Sequence, residues 1–285
     1  MNNKHVEQQE TDLDLTTCDL EPIHIPGRIQ SFGALLSVTP DLMVNHASKN
    51  AARMLAIDCD RLVGKSLLDF ISPEAIHDMR SRLQMLASND AVERMIAVTL
   101  TDGGTPFDIA LHVSGRSIVL EFEQHNAQAQ RDYISDIRHM IERLRQAVDV
   151  VQLCQMAARQ IKILTGFDRV MVYRFGQDGS GDVIAEAVQR DMEPYLGLHY
   201  PASDIPKQAR ALYTRNLLRL IGDAHDEGIA IEPVLAVDGE PLDLSMSTTR
   251  AVSPIHLEYL RNMGVHASMS ISILRKGKLW GLIAC

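Results

Sequence analysis

Residues 95–124 read MIAVTLTDGGTPFDIALHVSGRSIVLEFEQ. Three apolar, β-branched runs are separated by two turn signals, Asp102-Gly103-Gly104 and Ser114-Gly115. Glycine at such breaks admits the backbone a tight reversal needs, so the stretch predicts three consecutive antiparallel strands. Working back, GALLSVTPDLMVNHAS (33–48) gives a strand, a Pro-Asp turn and a second strand. KNAARMLAI (49–57) is a short helix. SPEAIHDMRSRLQMLAS (72–88) is a longer one, with Ser72 as N-cap and Pro73 at the first helical position. Two strands, helices and then three strands form an α+β sensor pattern that closes near residue 125.

Ahead of this unit, CDLEPIHIPGRIQSFGALLSV (18–38) carries two prolines and two glycines and predicts an irregular, extended start. Residues 1–17 are polar and read as a flexible arm. Behind it, HNAQAQRD (125–132) is a polar linker, and a long helix is predicted to about Leu164, stopped by Gly166. Ile137, Ile141, Leu144, Val148 and Val151 recur at helical spacing, which fits either core packing or a dimer bundle. A second alternating unit follows: RVMVYRF (169–175) and DVIAEAV (182–188) as strands, a helix opened by Ser203-Asp204-Ile205-Pro206 and running to about Arg215, and LLRLIGD (217–223) as a strand. Residues 223–248 show few regular signals, and irregular stretches this long are commonly functional or disordered. Ser253-Pro254 opens a helix ending at Gly264, and VHASMSISILRKGKLWGLIAC (265–285) is a hairpin turning at Lys276-Gly277.

The bulk figures bound the class. The 285 residues suffice for two domains with their own cores, and 46% hydrophobic with 23% charged residues is a globular composition. A net charge of −9 argues against nucleic acid as a partner. No apolar run reaches the roughly 20 residues of a membrane span. The N-terminus lacks a basic start and an apolar stretch, so the expected compartment is the cytoplasm. The four cysteines, Cys18, Cys59, Cys154 and Cys285, form no CxxC pair and point to no metal site. Cys154 is expected in a core and Cys59 in a surface loop. Cys18 is read either as a bland free thiol or as an accessible one able to form a covalent link.

Three segments hold the candidate chemistry. In YPASDIP (200–206), Asp204 reads first as a helix cap. In RAVSPIHLEYLRNMG (250–264), His256 and Tyr259 are three apart on one helix face and either satisfy each other in a core or line a polar cavity. In ASMSISIL (267–274), Ser268, Ser270 and Ser272 alternate with Met269, Ile271 and Ile273, so the serines suit a cavity wall with hydroxyl donors. Arg219 and Arg250 on neighbouring candidate strand ends fork carboxylates well, although a surface ion pair is the commoner fate of an arginine. The pieces suggest a pocket for a large ligand with an apolar body and carboxylates. No nucleophile–base set, phosphate loop or HExxH motif is present, so no enzyme activity is expected of the chain itself.

CDLEPIHIPGRIQSFGALL (18–36) closely resembles the N-terminal segment of bacteriophytochromes, and YPASDIPKQARALY (200–213) and SPIHLEYLRNMGVHASMSISI (253–273) resemble their GAF domain. The resemblance covers nearly the whole chain. It implies a PAS domain over 18–125 and a linker helix with a GAF domain over 126–285, each an antiparallel sheet flanked by helices, joined by a figure-eight knot. In the knot, the N-terminal segment threads the 223–248 loop, with Ile29 near the crossing. It implies biliverdin IXα as cofactor, held by a thioether from Cys18, as no cysteine stands near His256. By the same resemblance, the Asp204 carbonyl accepts from pyrrole N–H groups, and its carboxylate faces ring D. His256 holds the pyrrole water and guards bilin protonation. Arg219, Arg250, Ser253, Ser268 and Ser270 bind the propionates. Tyr173, Tyr200 and Tyr259 cage ring D, Ile205 packs on the chromophore face, and Pro206 and Tyr213 complete the pocket.

A homodimer through the GAF helices is implied as well, as is red/far-red light sensing by ring-D isomerisation. A histidine kinase or a diguanylate cyclase is the implied output of a longer parent. Family members continue past LWGLIAC with a ring-D histidine and a PHY domain. A chain ending at Cys285 is therefore expected to have a red-absorbing ground state and incomplete photoconversion. Leu198, where some relatives carry histidine, is a minor departure. The competing reading is a PAS–GAF regulatory module that binds a small metabolite or cyclic nucleotide and no bilin. Such a module would have no need of Cys18 or His256.

Overall fold

The computed structural model describes residues 21–59, 61–88, 90–127, 133–236 and 239–285. Cys18 lies outside the described residues. The first unit contains β1 (Arg28–Ile29), β2 (Gly33–Val38), β3 (Val44–Ser48), helices α1 (Ala51–Met54) and α2 (Pro73–Met85), then β4 (Glu93–Thr99), β5 (Pro106–Ser114) and β6 (Ser117–Gln124). Ser72 caps α2 as expected, its hydroxyl accepting from the Ala75 N–H at 3.3 Å. All six residues of β2 are buried because the sheet is covered on both faces. Ala34, Leu36 and Val38 point into the main core with Phe107 and Phe122. Leu35 points the other way, into a smaller cluster with Ile29, Val119, Ile231 and Leu244. Cys59 departs from the surface reading: it is half-buried against the main core, with its thiol donating to the Arg61 carbonyl.

The second unit begins with two helices, where the sequence predicts one. α3 (Tyr133–Leu144) and α4 (Val150–Thr165) are separated by a break at 145–149. Asp149 causes it: its carboxylate accepts from the Gln152 N–H at 2.7 Å and so starts a new helix. The apolar stripe is thereby divided, with Ile137, Ile141 and Leu144 on α3, Val148 in the turn and Val151 on α4. Gly166 ends α4 in the left-handed conformation, as expected. Cys154 is buried against β7 (Arg169–Phe175) and β8 (Gly181–Val188). β9 (His199–Tyr200), α5 (Lys207–Arg215), β10 (Leu218–Ile221), β11 (Ile229–Glu232), α6 (Pro254–Asn262), β12 (Ser268–Arg275) and β13 (Lys278–Ala284) complete the chain. The second sheet is antiparallel in the order β10-β12-β13-β7-β8-β9.

The 223–248 stretch is less irregular than its sequence suggests. β11 leaves the second unit and becomes an interior strand of the first sheet, whose order is β1-β11-β3-β2-β6-β5-β4. It pairs with β1 through Ile29↔Ile229 and with β3 through Ile231↔Ser48. Gln30 fastens the same region: its side chain donates to the carbonyls of Leu220 and Arg250 and accepts from the Gly222 N–H. The two units thus share a sheet and a small core. Among the described residues no helix is long and apolar enough to cross a membrane.

Candidate functional site

The second sheet, with α5 and α6 over it, encloses a cavity of about 610 Å³. An adjoining pocket of about 270 Å³ shares Asp204, Ile205, Tyr213, Arg219, His256 and Tyr259 with it. Together they offer the elongated, mostly apolar space with a few convergent polar groups that large ligands occupy.

Tyr173 comes from β7 and is buried, its ring edge-on to Phe175 at 5.1 Å and tilted against Tyr200 at 6.1 Å. Two glycines make room for it. A Cβ on Gly181 would collide with the hydroxyl-bearing edge of the Tyr173 ring, and one on Gly281 would strike its carbonyl oxygen. The Tyr173 hydroxyl has no hydrogen-bond partner among the described residues. Burial, helped by the nearby Asp204 carboxylate, pushes its pKa up to about 12. Tyr200 and Tyr259 line the same cavity.

Asp204 does not cap a helix. It ends a 3₁₀ turn (Ala202–Asp204), and α5 starts later, with Pro206 at the N-cap position and no side-chain cap. Freed from capping, Asp204 lines the cavity, where burial raises its pKa against the opposing Ser203 hydrogen bond. Ile205 lines both spaces, and Pro206 lines the adjoining pocket.

His256 and Tyr259 lie one turn apart on α6, with rings stacked at 6.2 Å between centroids. Burial, and then the Arg219 charge, lower the His256 pKa to about 4, so the imidazole is neutral at pH 7. Arg219 stands opposite Ser270 in the β10–β12 register, which places a guanidinium beside a hydroxyl at the cavity wall. Ser268 and Ser270 line the cavity. Ser268 donates to the Cys285 carbonyl at 2.9 Å. Ser272, expected on the same wall, is absent from it.

Arg250 is set apart from the main cavity. It lies beside Ile29 and shares a narrow cleft with Arg219 and Tyr213. Only 8% exposed, it has its pKa lowered to about 10, by burial first and by Arg219 second. Among the described residues, Arg250 Nη1 and Arg219 Nε find no acceptor. A buried and a half-buried guanidinium, each with an unused donor, have the chemistry to take an anionic group. Ser253, at the start of α6, donates to the Glu21 carboxylate at 2.7 Å, and Glu21 and Ile23 line the adjoining pocket.

One cluster was not read from the sequence. Arg169 of β7 pairs with Glu186 of β8 and lies over the Tyr195 ring at 3.6 Å. Glu186 also accepts from the N–H groups of Tyr195 and Leu196, at 2.8 and 3.0 Å. The two charges pin the loop that brings Met192 and Tyr195 to the cavity. A lone glutamate inside the apolar run DVIAEAV was the available signal. Among the described residues, no group of three or more metal-ligating side chains is present.

Two family descriptions match the chain: the PAS fold over residues 18–125 and the GAF domain over residues 149–285. The chain is 40% identical to a bacteriophytochrome of Pseudomonas aeruginosa and 39% identical to cyanobacterial phytochrome B of Nostoc, in each case over 96% of its own length. It spans 37% of the length of each of these relatives. Among solved structures, it is similar to the chromophore-binding domain of Stigmatella aurantiaca phytochrome P1, at 44% identity and a TM-score of 0.82. That match covers 94% of this chain and 89% of the other. The chromophore-binding domain of an unusual bacteriophytochrome from R. palustris matches at 38% identity with a TM-score of 0.83, over 94% of this chain and 88% of the other. With both domains matched in order and a like-sized relative well above 30% identity, the chain belongs to the phytochrome family, as a PAS–GAF pair.

Proposed function

We propose that this chain is a red/far-red light-sensing module that holds biliverdin IXα in the GAF cavity through a thioether from Cys18. The observation that carries the reading is the hydrogen bond from Ser253 to Glu21. It fixes a residue three positions after Cys18 at the edge of the pocket, and three residues of chain reach about 10 Å. Cys18 would hold the group by adding its thiol across the ring-A vinyl, a C–S bond replacing the C=C π bond while the thiol proton goes to the neighbouring carbon. No oxidant is needed.

When bound, biliverdin supplies a conjugated chromophore whose C15=C16 bond isomerises on absorbing light. The residues present fit such a group. Arg219 and Arg250 present unused donors for its propionates, with Ser253, Ser268 and Ser270 as hydroxyl partners. His256, neutral at pH 7, can accept at one ring nitrogen and donate at the other. The Asp204 carbonyl accepts from pyrrole N–H groups. Tyr173, Tyr200 and Tyr259 supply stiff, polar-tipped walls for ring D, and Ile205, Pro206 and Tyr213 fill the remaining faces. The threading of the N-terminal segment through the 223–248 loop is part of this proposal, supported by Ile29 pairing with both Ile229 and Arg250. So are a homodimer through α3 and α4, a cytoplasmic setting and a kinase or cyclase output in a longer parent.

The test is to mix the apoprotein with biliverdin, denature it and look for zinc-induced fluorescence on the protein band. The wild type should fluoresce and Cys18→Ser should not. Fluorescence that survives the substitution moves the attachment elsewhere, and a wild type that takes up no bilin overturns the reading.

A further inference from the structure

Glu121 lies in β6 of the first sheet, lines neither the cavity nor its adjoining pockets, and is 1% exposed. A carboxylate so buried is costly unless its oxygens are hydrogen-bonded. Its donors all come from the other unit. The Thr249 N–H donates at 2.7 Å, the Thr248 N–H at 3.2 Å and the Thr249 hydroxyl completes the set. Arg94 of β4 reaches the same segment, donating to the Thr248 hydroxyl at 3.0 Å. The next residue along the chain is Arg250.

The segment is gripped from its other edge as well. The Thr249 carbonyl accepts from the Gln30 N–H at 2.7 Å, and the Arg250 carbonyl accepts from the Gln30 side chain at 3.1 Å. A Cβ on Gly33 would stand 2.8 Å from the Thr249 side chain, so Thr249 is packed tightly against β2. Such fixing has a purpose at Arg250. Its guanidinium shares a narrow cleft with that of Arg219, and two like charges stay side by side only where their positions are constrained.

We infer that Glu121 is a positioning residue for Arg250: by holding the Thr248–Thr249 backbone, the PAS domain sets where the GAF domain presents a guanidinium to an anionic ligand group. The inference rests on the propionate role proposed for Arg250. It gives the PAS domain a part in ligand recognition that no direct contact with the cavity would reveal.

The test measures reversible binding of biliverdin, and of biliverdin dimethyl ester, to the full chain carrying Cys18→Ser. Glu121→Gln keeps the shape but sets an amide N–H₂ against donors. It should weaken biliverdin binding about tenfold, the scale of a lost hydrogen bond to a charged group. The same change should leave the dimethyl ester nearly unaffected, and its effect should vanish in an Arg250→Ala background, as coupled residues require. Equal weakening for both ligands, persistence of the effect in Arg250→Ala, or no weakening at all would overturn the inference. If Glu121→Gln does not fold, Thr249→Val, which removes only the hydroxyl donor, is judged by the same comparison with a smaller effect. A parent Cys18→Ser chain that binds neither ligand would instead count against the bilin reading itself.

Discussion

Tyr173 shows how much of a site can depend on what is missing beside it. The ring occupies space that a side chain on Gly181 would need. Gly181→Ala should cost about 2–3 kcal/mol of stability, the scale of an overpacked core, and lower bilin uptake with it. Denaturant unfolding of the apoprotein checks the first effect; an unchanged midpoint would show that the ring moves freely. His256 gives a spectroscopic outcome: His256→Ala, loaded with biliverdin, should lose red absorbance, and an unchanged spectrum would remove its role. His112 gives one in pH. Burial lowers its pKa to about 4, with Asp243 opposing and Arg94 adding to the shift. The fold therefore holds it neutral while the unfolded chain protonates near 6.5. Its contribution is intact above that value and is lost as pH falls toward 4, by roughly 2 kcal/mol at pH 5. Glu121, whose pKa burial raises, pulls the other way over part of this range. The wild type should thus lose roughly 2 kcal/mol more than His112→Phe between pH 7 and pH 5; a constant gap would mean that His112 is not held neutral. At this scale the sequence was legible where function makes short motifs, as in YPASDIP and SPIH. It was mute where roles depend on depth. Arg219 and Arg250 looked equivalent, yet one lines the cavity and the other stands behind it. Glu186 matters through a loop ten residues away, a distance that no spacing rule encodes.

The element that departs most from its sequence pattern is the long helix after the linker. Periodicity carries across residues 145–149 without a break, but periodicity reports a buried stripe and not backbone continuity. Asp149, an ordinary residue in a helical pattern, becomes decisive once its carboxylate takes the Gln152 N–H. Asp149→Ala should cost about 1 kcal/mol in denaturant unfolding, the usual loss for an N-cap. Apolar residues stay exposed on both sides of the break: Ile137 and Ile141 on α3, and Val150, Val151 and Leu153 on α4. Under the proposed dimer, Val151→Glu should shift the chain from dimer to monomer in light-scattering chromatography. A wild type that is monomeric at every concentration would sink the dimer. Asp204 is the reverse case. Its sequence position argued for capping, but it ends a 3₁₀ turn two residues short of the Pro206–Lys207 helix start, and it lines the cavity instead.

For the whole molecule, the α+β layout and the strand order within each hairpin follow from local patterns. The crossing between the units does not. β11 is four residues long, lies in a stretch poor in signals, and earns its place by pairing with strands far away in sequence. Because it is shared, the two units should not unfold separately. Calorimetry of the apoprotein should show one transition, with calorimetric and van't Hoff enthalpies in agreement; two resolved peaks would show that the sheets are independent. The same strand also orders events in time. During synthesis β2 to β6 emerge first, yet the edge of β3 that takes Ile231 and Glu232 stays unpaired until residue 232 has been made. For that interval the nascent chain carries a bare strand edge, the kind of template on which newly made chains join one another. The yield of folded protein then depends on how quickly the ribosome delivers the second half, and shortening the chain before residue 229 would leave that edge bare for good.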